Sequence, residues 1–140
     1  MTPEEREQVG EFFEQESPYY EIGTEVPELA GEAFVVTGTG KYFGNIQKAP
    51  EAVCGIIEVD KTGSRYRIVW GLNGNGRPTS ELPTHLMNHE IKMLATNGRH
   101  RVIYHCHPSN IIALTFVLPL EDKVFTRELW EMATECPIVF

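Results

Sequence analysis

The first regular pattern along the chain is an apolar run, Ala33 to Thr37 (AFVVT), with the composition of a buried strand. Two alternating runs follow, Gly55 to Asp60 and Tyr66 to Trp70, joined by residues 61–64 (KTGS). Short alternating runs separated by a turn that contains glycine predict a β-hairpin. Residues 18–32 hold two prolines and two glycines, and they predict a loop.

Helical periodicity replaces this alternation in the second half of the chain. The clearest helix runs from Ser80 to about Thr96, with Met87, Ile91 and Leu94 on one apolar stripe, and Asn97-Gly98 ends it. Other predicted helices cover residues 2–15, 108–117 and 126–133, and further strands are predicted at 101–106 and 137–140. Helices alternate with strands, and the hairpin favours a mostly antiparallel sheet, so the predicted fold class is α/β.

Composition and charge narrow the class of protein. The chain has 140 residues, 41% hydrophobic and 23% charged, as expected for one globular domain over residues 1–140. A net charge of −8 argues against a nucleic acid or an anionic membrane as partner, because both require a basic surface. The three cysteines have no repeated spacing and the N-terminus lacks a signal sequence, so we expect a cytoplasmic protein with reduced thiols.

Two pairs of histidines have spacings that can bind a metal. His105 and His107 lie at the end of a predicted strand, where alternation places both imidazoles on one face. Imidazoles at this spacing can occupy two corners of a tetrahedral zinc site. His85 and His89 lie one helical turn apart, with Glu81 a further turn earlier. Histidines without a metal role give the same patterns, so the residues alone leave both possibilities open.

Two segments rich in glycine and hydroxyl groups can bind an anion. Thr37 to Lys41 (TGTGK) follows a predicted strand, and its successive N–H groups can form an anion-binding nest to which Thr39 adds a hydroxyl. An ordinary glycine turn explains the same residues. Thr79 and Ser80 precede a predicted helix, with Glu81 next, and can bind a phosphate at the helix N-terminus or simply cap the helix.

Taken together, these segments resemble the class II, zinc-dependent aldolases. The motifs that match in order and spacing are TGTGKYFGNIQ, WGL, PTSELPTHL, ATNG, RVIYHCHPSNIIALTFVL and VFTRELWEMATEC. The resemblance runs from about Phe34 to Phe140, and within the family it is greatest to members that cleave L-rhamnulose 1-phosphate.

The resemblance implies a fold, a metal and a reaction. The fold is a three-layer α/β/α sandwich with a mostly antiparallel central sheet, here incomplete at both ends, in a homotetramer. The metal is Zn²⁺, and His105 and His107 match two of its three histidine ligands. The reaction is retro-aldol cleavage of L-rhamnulose 1-phosphate to dihydroxyacetone phosphate and L-lactaldehyde. The remaining matched residues are the catalytic carboxylates Glu81 and Glu135 and the phosphate-binding residues Gly38, Thr39, Thr79 and Ser80.

Two features of the family have no counterpart in this sequence. Nothing before Ala33 matches the family's Gly-Gly-Asn motif, and the third zinc histidine lies beyond Phe140 in the family. We therefore expect the chain to be a segment of a longer enzyme and to show no aldolase activity alone. The alternatives are a non-catalytic sugar-phosphate- or metal-binding remnant that needs partner segments, and a related sugar-phosphate 4-epimerase.

Overall fold

The computed structural model of the chain describes residues 17–132. The chain divides into two compact units, Met1–Ile103 and Tyr104–Phe140, and each is treated by itself. The helix predicted at residues 2–15 and the strand predicted at 137–140 lie outside the described residues. In the described part of the chain, no helix is long and apolar enough to cross a membrane.

The first unit is built on a four-stranded antiparallel sheet. Its strands are β1 (Tyr20–Glu21), β2 (Ala33–Thr37), β3 (Cys54–Val59) and β4 (Arg65–Gly71), in the spatial order β1-β4-β3-β2. The predicted strand at 33–37 and the predicted hairpin are confirmed, because β2 pairs with β3 and β3 pairs with β4. The loop predicted at 18–32 is wrong at β1, where a two-residue strand pairs with the start of β4.

From residue 17 onward, the α-helices of the first unit are a short α1 (Pro50–Val53) and a long α2 (Leu82–Thr96). The left-handed conformation of Asn97 (φ 51°, ψ 48°) ends α2, as predicted. The helix buries Leu82 and Leu86, while the side chains of the predicted stripe are 48–64% exposed. That stripe consists of Met87, Ile91 and Leu94. The core therefore lies under the first half of α2.

The core of the first unit joins one face of the sheet to α2 and to the loop that follows β1. Val26, Leu29 and Ile57 are at most 1% exposed, and they pack with Leu82 and Leu86 of the helix. This packing fixes the start of α2 against the sheet, and with it the residues immediately before the helix.

Up to Met132, where the described residues end, the second unit contains two helices, α3 (Ser109–Val117) and α4 (Asp122–Met132). The first agrees with its prediction, whereas α4 begins four residues before the predicted start at Thr126. The strand predicted at 101–106 is wrong, because no described residue pairs with this segment. Val102 and Tyr104 are 82% and 73% exposed, so the apolar composition that suggested a buried strand is not buried by the described residues.

The turn between β3 and β4 depends on one buried carboxylate. Asp60 Oδ1 accepts hydrogen bonds from the backbone N–H groups of Thr62, Ser64 and Arg65, at 3.1–3.2 Å. Its Oδ2 accepts from Arg65 Nε at 3.1 Å. Burial opposes ionisation of Asp60, but the hydrogen bonds to its carboxylate outweigh burial and lower its pKa from 3.8 to about 2.

We predict that Asp60→Asn lowers the thermal stability of the protein in a pH-dependent way. A lowered pKa means that the ionised carboxylate stabilises the folded state above pH about 4, and that this contribution is lost as the pH falls toward about 2. The wild-type Tm should exceed that of the variant at pH 7, and the gap should close as the pH approaches 2. Circular dichroism melts between pH 2 and 7 measure this.

The exposed Glu25 provides the control for this prediction. Glu25→Gln should leave the Tm at pH 7 unchanged. A constant difference in Tm between wild type and Asp60→Asn at every pH would contradict the assignment, because it would show that ionisation of Asp60 is not what stabilises the turn.

Candidate functional site

The two segments that the sequence offered as anion-binding lie side by side in the first unit. Gly38, immediately after β2, forms an isolated antiparallel bridge with Pro78. Thr39 N–H donates to the carbonyl of Arg77 at 2.9 Å, and Thr39 Oγ1 donates to the carbonyl of Pro78 at 2.7 Å. Thr79 N–H donates in turn to the carbonyl of Thr37 at 2.8 Å. Gly38, Thr39 and Thr79 are thereby held together, and Ser80 follows directly.

Most N–H groups of the glycine loop are already used by the protein. Gly38 N–H donates to the carbonyl of Val53 at 2.8 Å, and Lys41 N–H donates to the carbonyl of Gly38 at 3.2 Å. With Thr39 N–H also engaged, the loop does not offer a run of successive free N–H groups. An anion at this place would therefore depend on hydroxyl groups and cationic side chains more than on the backbone nest.

The two threonine hydroxyls differ in what they can offer an anion. Thr39 Oγ1 is the donor in its bond to Pro78, so it must leave that carbonyl before it can donate to a phosphate. Thr79 Oγ1 is the acceptor from Glu81 N–H at 3.3 Å, which leaves its own proton for another acceptor. The bond that Thr79 Oγ1 accepts in the turn before α2 is therefore compatible with binding of an anion.

Glu81 occupies the N-cap position of α2, and its side chain makes no capping hydrogen bond. The carboxylate is half-buried and follows directly after Thr79 and the exposed Ser80. The first turn of the helix is closed by Leu82 N–H, which donates to the carbonyl of Thr79 at 3.1 Å. The Glu81 carboxylate is thus not required to cap the helix.

Gly38 is required at its position because the space beside its α-carbon is full. A Cβ there would stand 2.7 Å from Leu72 Cδ2 and 2.9 Å from Lys41 Cγ. Leu72 is buried in the core, so it cannot move away freely. The close approach of Leu72 and Lys41 to the loop therefore depends on glycine at this position.

The histidines at 105 and 107 converge in the second unit although the strand predicted there is absent. His105 Nε2 and His107 Nε2 are 2.8 Å apart, and both side chains are exposed. Two nitrogens that bind one tetrahedral Zn²⁺ at 2.0–2.1 Å stand about 3.3 Å apart. A separation wider by about half an ångström would therefore let both imidazoles bind one metal ion, once both Nε2 atoms are unprotonated.

The histidines of α2 are placed differently. His89 is half-buried with its ring centroid 5.0 Å from that of Phe34. Its pKa is lowered, first by burial and then by the charges of His85 and Lys92. No group of three His, Cys, Asp or Glu side chains is placed to hold a metal ion within residues 17–132, and this includes Glu81, His85 and His89.

Two further outcomes complete the placement of the expected site residues. Glu135 lies outside the described residues. Arg77 and Pro78, whose carbonyls fix Thr39, were not predicted from the sequence. The only sequence feature that pointed to them was the turn-rich segment at 73–78 (NGNGRP), which leads into Thr79. The phosphate candidates belong to the first unit and the histidine pair to the second.

We predict that Gly38→Ala destabilises the protein and displaces the loop that carries Thr39. Overpacking at a site that cannot relax typically costs ~1–3 kcal/mol in the free energy of unfolding. Gly44→Ala is the matched control, because a Cβ on Gly44 would meet nothing within 4 Å. Chemical denaturation of both variants measures the effect, and equal stabilities would show that Leu72 and Lys41 give way without cost.

Comparison with known proteins identifies the family. The class II aldolase and adducin N-terminal domain family matches residues 22–139. The chain is 50% identical over 128 residues to proteins named rhamnulose-1-phosphate aldolase from Escherichia coli O81 (strain ED1a) and Escherichia coli (strain K12). The match covers 91% of this chain and 47% of each of those proteins, so the chain spans about half the length of the curated relatives it matches. The chain belongs to the class II aldolase family.

Proposed function

We propose that this chain contributes the phosphate-binding segments and two metal-binding histidines to an aldolase that cleaves L-rhamnulose 1-phosphate to dihydroxyacetone phosphate and L-lactaldehyde. One observation carries the proposal: the loop after β2 and the N-terminus of α2 are joined by hydrogen bonds at Thr37, Thr39 and Thr79. The name of the Escherichia coli relatives supplies the substrate and the reaction.

In this proposal, Gly38, Thr39, Thr79 and Ser80 bind the phosphate group of the ketose. The phosphate does not react, so binding it fixes the position of the carbon skeleton and converts proton transfer into a reaction between oriented groups. The start of α2 adds the partial positive charge of a helix N-terminus. The Thr79 hydroxyl is the better prepared of the two threonine hydroxyls to donate, because it only accepts in its bond with Glu81 N–H and keeps its own proton for a ligand.

His105 and His107 provide two metal ligands, and the convergence of their Nε2 atoms fits that role. The proposed ion is Zn²⁺, which acts as a Lewis acid toward substrate oxygens when bound. By resemblance to the family, a third histidine that lies outside this sequence completes the set of zinc ligands. Glu81 is proposed to give the proton that the substrate carbon beside the carbonyl group gains on cleavage. Glu135 is proposed to take the proton of the hydroxyl group that becomes the aldehyde oxygen, and to return it as an acid when the reaction runs in reverse.

The wider architecture belongs to the same proposal. The antiparallel sheet and its helices agree with an α/β class II aldolase domain, and we propose that the complete fold is the three-layer sandwich of the family. A homotetramer in the cytoplasm is the proposed state of the complete enzyme.

The metal ligands are tested by zinc content. If the purified protein binds zinc, we predict that His105→Ala and His107→Ala each abolish that binding, because each leaves a single imidazole of the pair. His85→Ala and His89→Ala are the matched controls and should retain zinc. Metal analysis after dialysis at fixed pH decides between the pairs, and loss of zinc only in the α2 variants would overturn the assignment.

The reaction is tested in a hybrid enzyme in which this chain replaces the matching segment of an Escherichia coli relative. We predict that the hybrid releases dihydroxyacetone phosphate from L-rhamnulose 1-phosphate, and that Glu81→Gln lowers kcat about 10²–10⁴-fold. The amide cannot transfer the proton, which is why kcat should fall. Because it keeps the shape of the side chain, zinc content should not change. The 140-residue chain alone should show no release above background.

Three other results would contradict part of the proposed function. An active Glu81→Gln hybrid, with kcat within about threefold of the parent (small against the range for acid–base groups), would leave Glu81 no role beyond starting α2. Epimerisation of a sugar phosphate without release of dihydroxyacetone phosphate would identify a 4-epimerase. A folded hybrid that binds zinc and phosphate but transforms neither substrate would identify a non-catalytic binding protein.

A further inference from the structure

The proposed phosphate site has no charge of its own. Gly38, Thr39, Thr79 and Ser80 are all uncharged, whereas a phosphate monoester carries a charge of about −1.5 to −2 at neutral pH. The protein as a whole has a net charge of −8, which repels such an anion. A nearby cation is needed if the site is to prefer phosphorylated over unphosphorylated ligands.

Two cationic residues flank the candidate site, and one of them is engaged elsewhere. Arg77 Cζ lies 3.8 Å from the ring centroid of Tyr20, which places the guanidinium over the ring. Burial raises the pKa of Tyr66, and the same guanidinium opposes that rise. The carbonyl of Arg77 accepts from Thr39 N–H, so the contacts of the guanidinium anchor the segment on which Thr39 depends. Arg77 is therefore a structural anchor of the loop.

The other cation, Lys41, is placed across the loop. Its N–H donates to the carbonyl of Gly38 at 3.2 Å, which closes a turn in which Gly40 has φ +67°. Its Cγ stands 2.9 Å from the point where a Cβ of Gly38 would be, so the aliphatic stem lies against the bare α-carbon of Gly38. The side chain is exposed, and no ion pair among the described residues involves it.

We propose that Lys41 supplies the positive charge that binds the substrate phosphate and makes the site selective for phosphorylated ligands. This proposal rests on the phosphate site proposed above. Contact with Gly38 restricts the stem of the side chain before any ligand arrives, so less rotamer freedom remains to be lost on binding. The compact ammonium group suits a phosphate because it acts as a point charge without a required bidentate geometry.

The test is to titrate the full 140-residue chain with inorganic phosphate at low ionic strength and to measure binding by isothermal titration calorimetry. Wild type should bind, and Lys41→Gln should weaken binding about tenfold or more, the size expected for a lost hydrogen bond to a charged group. Lys41→Arg keeps the charge and should restore affinity to within about threefold of wild type, a small change beside that loss. The affinity of Lys41→Gln should also depend less on salt concentration.

Two controls make the result specific. Lys48→Gln removes another exposed cation a few residues further on and should leave phosphate affinity unchanged. Dihydroxyacetone phosphate should follow the same order of affinities as inorganic phosphate, while any affinity for dihydroxyacetone should be the same in wild type and Lys41→Gln. Melting curves check that the substitutions at the exposed Lys41 leave the fold intact.

The possible outcomes test the role of Lys41 separately from the phosphate site on which that role rests. If wild type and Lys41→Gln bind phosphate equally, the phosphate site stands and Lys41 is not its cation. If wild type binds no phosphate, the phosphate site itself is wrong and the role of Lys41 falls with it. If Lys48→Gln weakens binding as much as Lys41→Gln, the effect is one of overall charge and the assignment to Lys41 is overturned.

Discussion

The candidate site depends on how the end of β2 is joined to the residues that precede α2. Gly38 and Pro78 form a bridge, and the backbone groups of Thr37, Thr39 and Thr79 complete the connection. Backbone N–H and carbonyl groups require partners when they are removed from water, so this connection satisfies two irregular segments at once. The same bonds fix the positions of the hydroxyl groups, so the local stability and the proposed phosphate site depend on one arrangement.

This arrangement limits what the backbone can do for a ligand. N–H groups that satisfy carbonyls cannot also face a phosphate, and in this loop those of Gly38, Thr39 and Lys41 are used. In the proposed phosphate site, binding therefore depends on side chains. Thr79 has a hydroxyl proton left to donate, and Lys41 forms no ion pair among the described residues. Gly38 allows both Leu72 and Lys41 to approach, so one glycine connects the core below the loop with the cation above it.

The sequence predicted those elements whose patterns are local. The strand at 33–37, the hairpin and the end of α2 at Asn97 follow from alternation, turn residues and a left-handed cap, all of which act within a few residues. The strand at 101–106 was wrong because an apolar run becomes a strand only when another segment pairs with it. The helical periodicity of α2 was predicted correctly, but the helix has more than one apolar stripe. Packing against the rest of the protein determines that Leu82 and Leu86 are buried.

The site shows the same division between local and distant information. Spacing alone predicted that His105 and His107 lie on one side of the chain, and their Nε2 atoms are 2.8 Å apart although no strand forms there. Spacing alone could not separate them from His85 and His89, which also lie within reach of each other. The structure adds one difference between the pairs: the His89 ring lies 5.0 Å from that of Phe34 in β2, and burial lowers the pKa of His89. A histidine that contributes to packing must give up that contact to bind a metal, whereas the side chains at 105 and 107 are exposed and face each other through their Nε2 atoms.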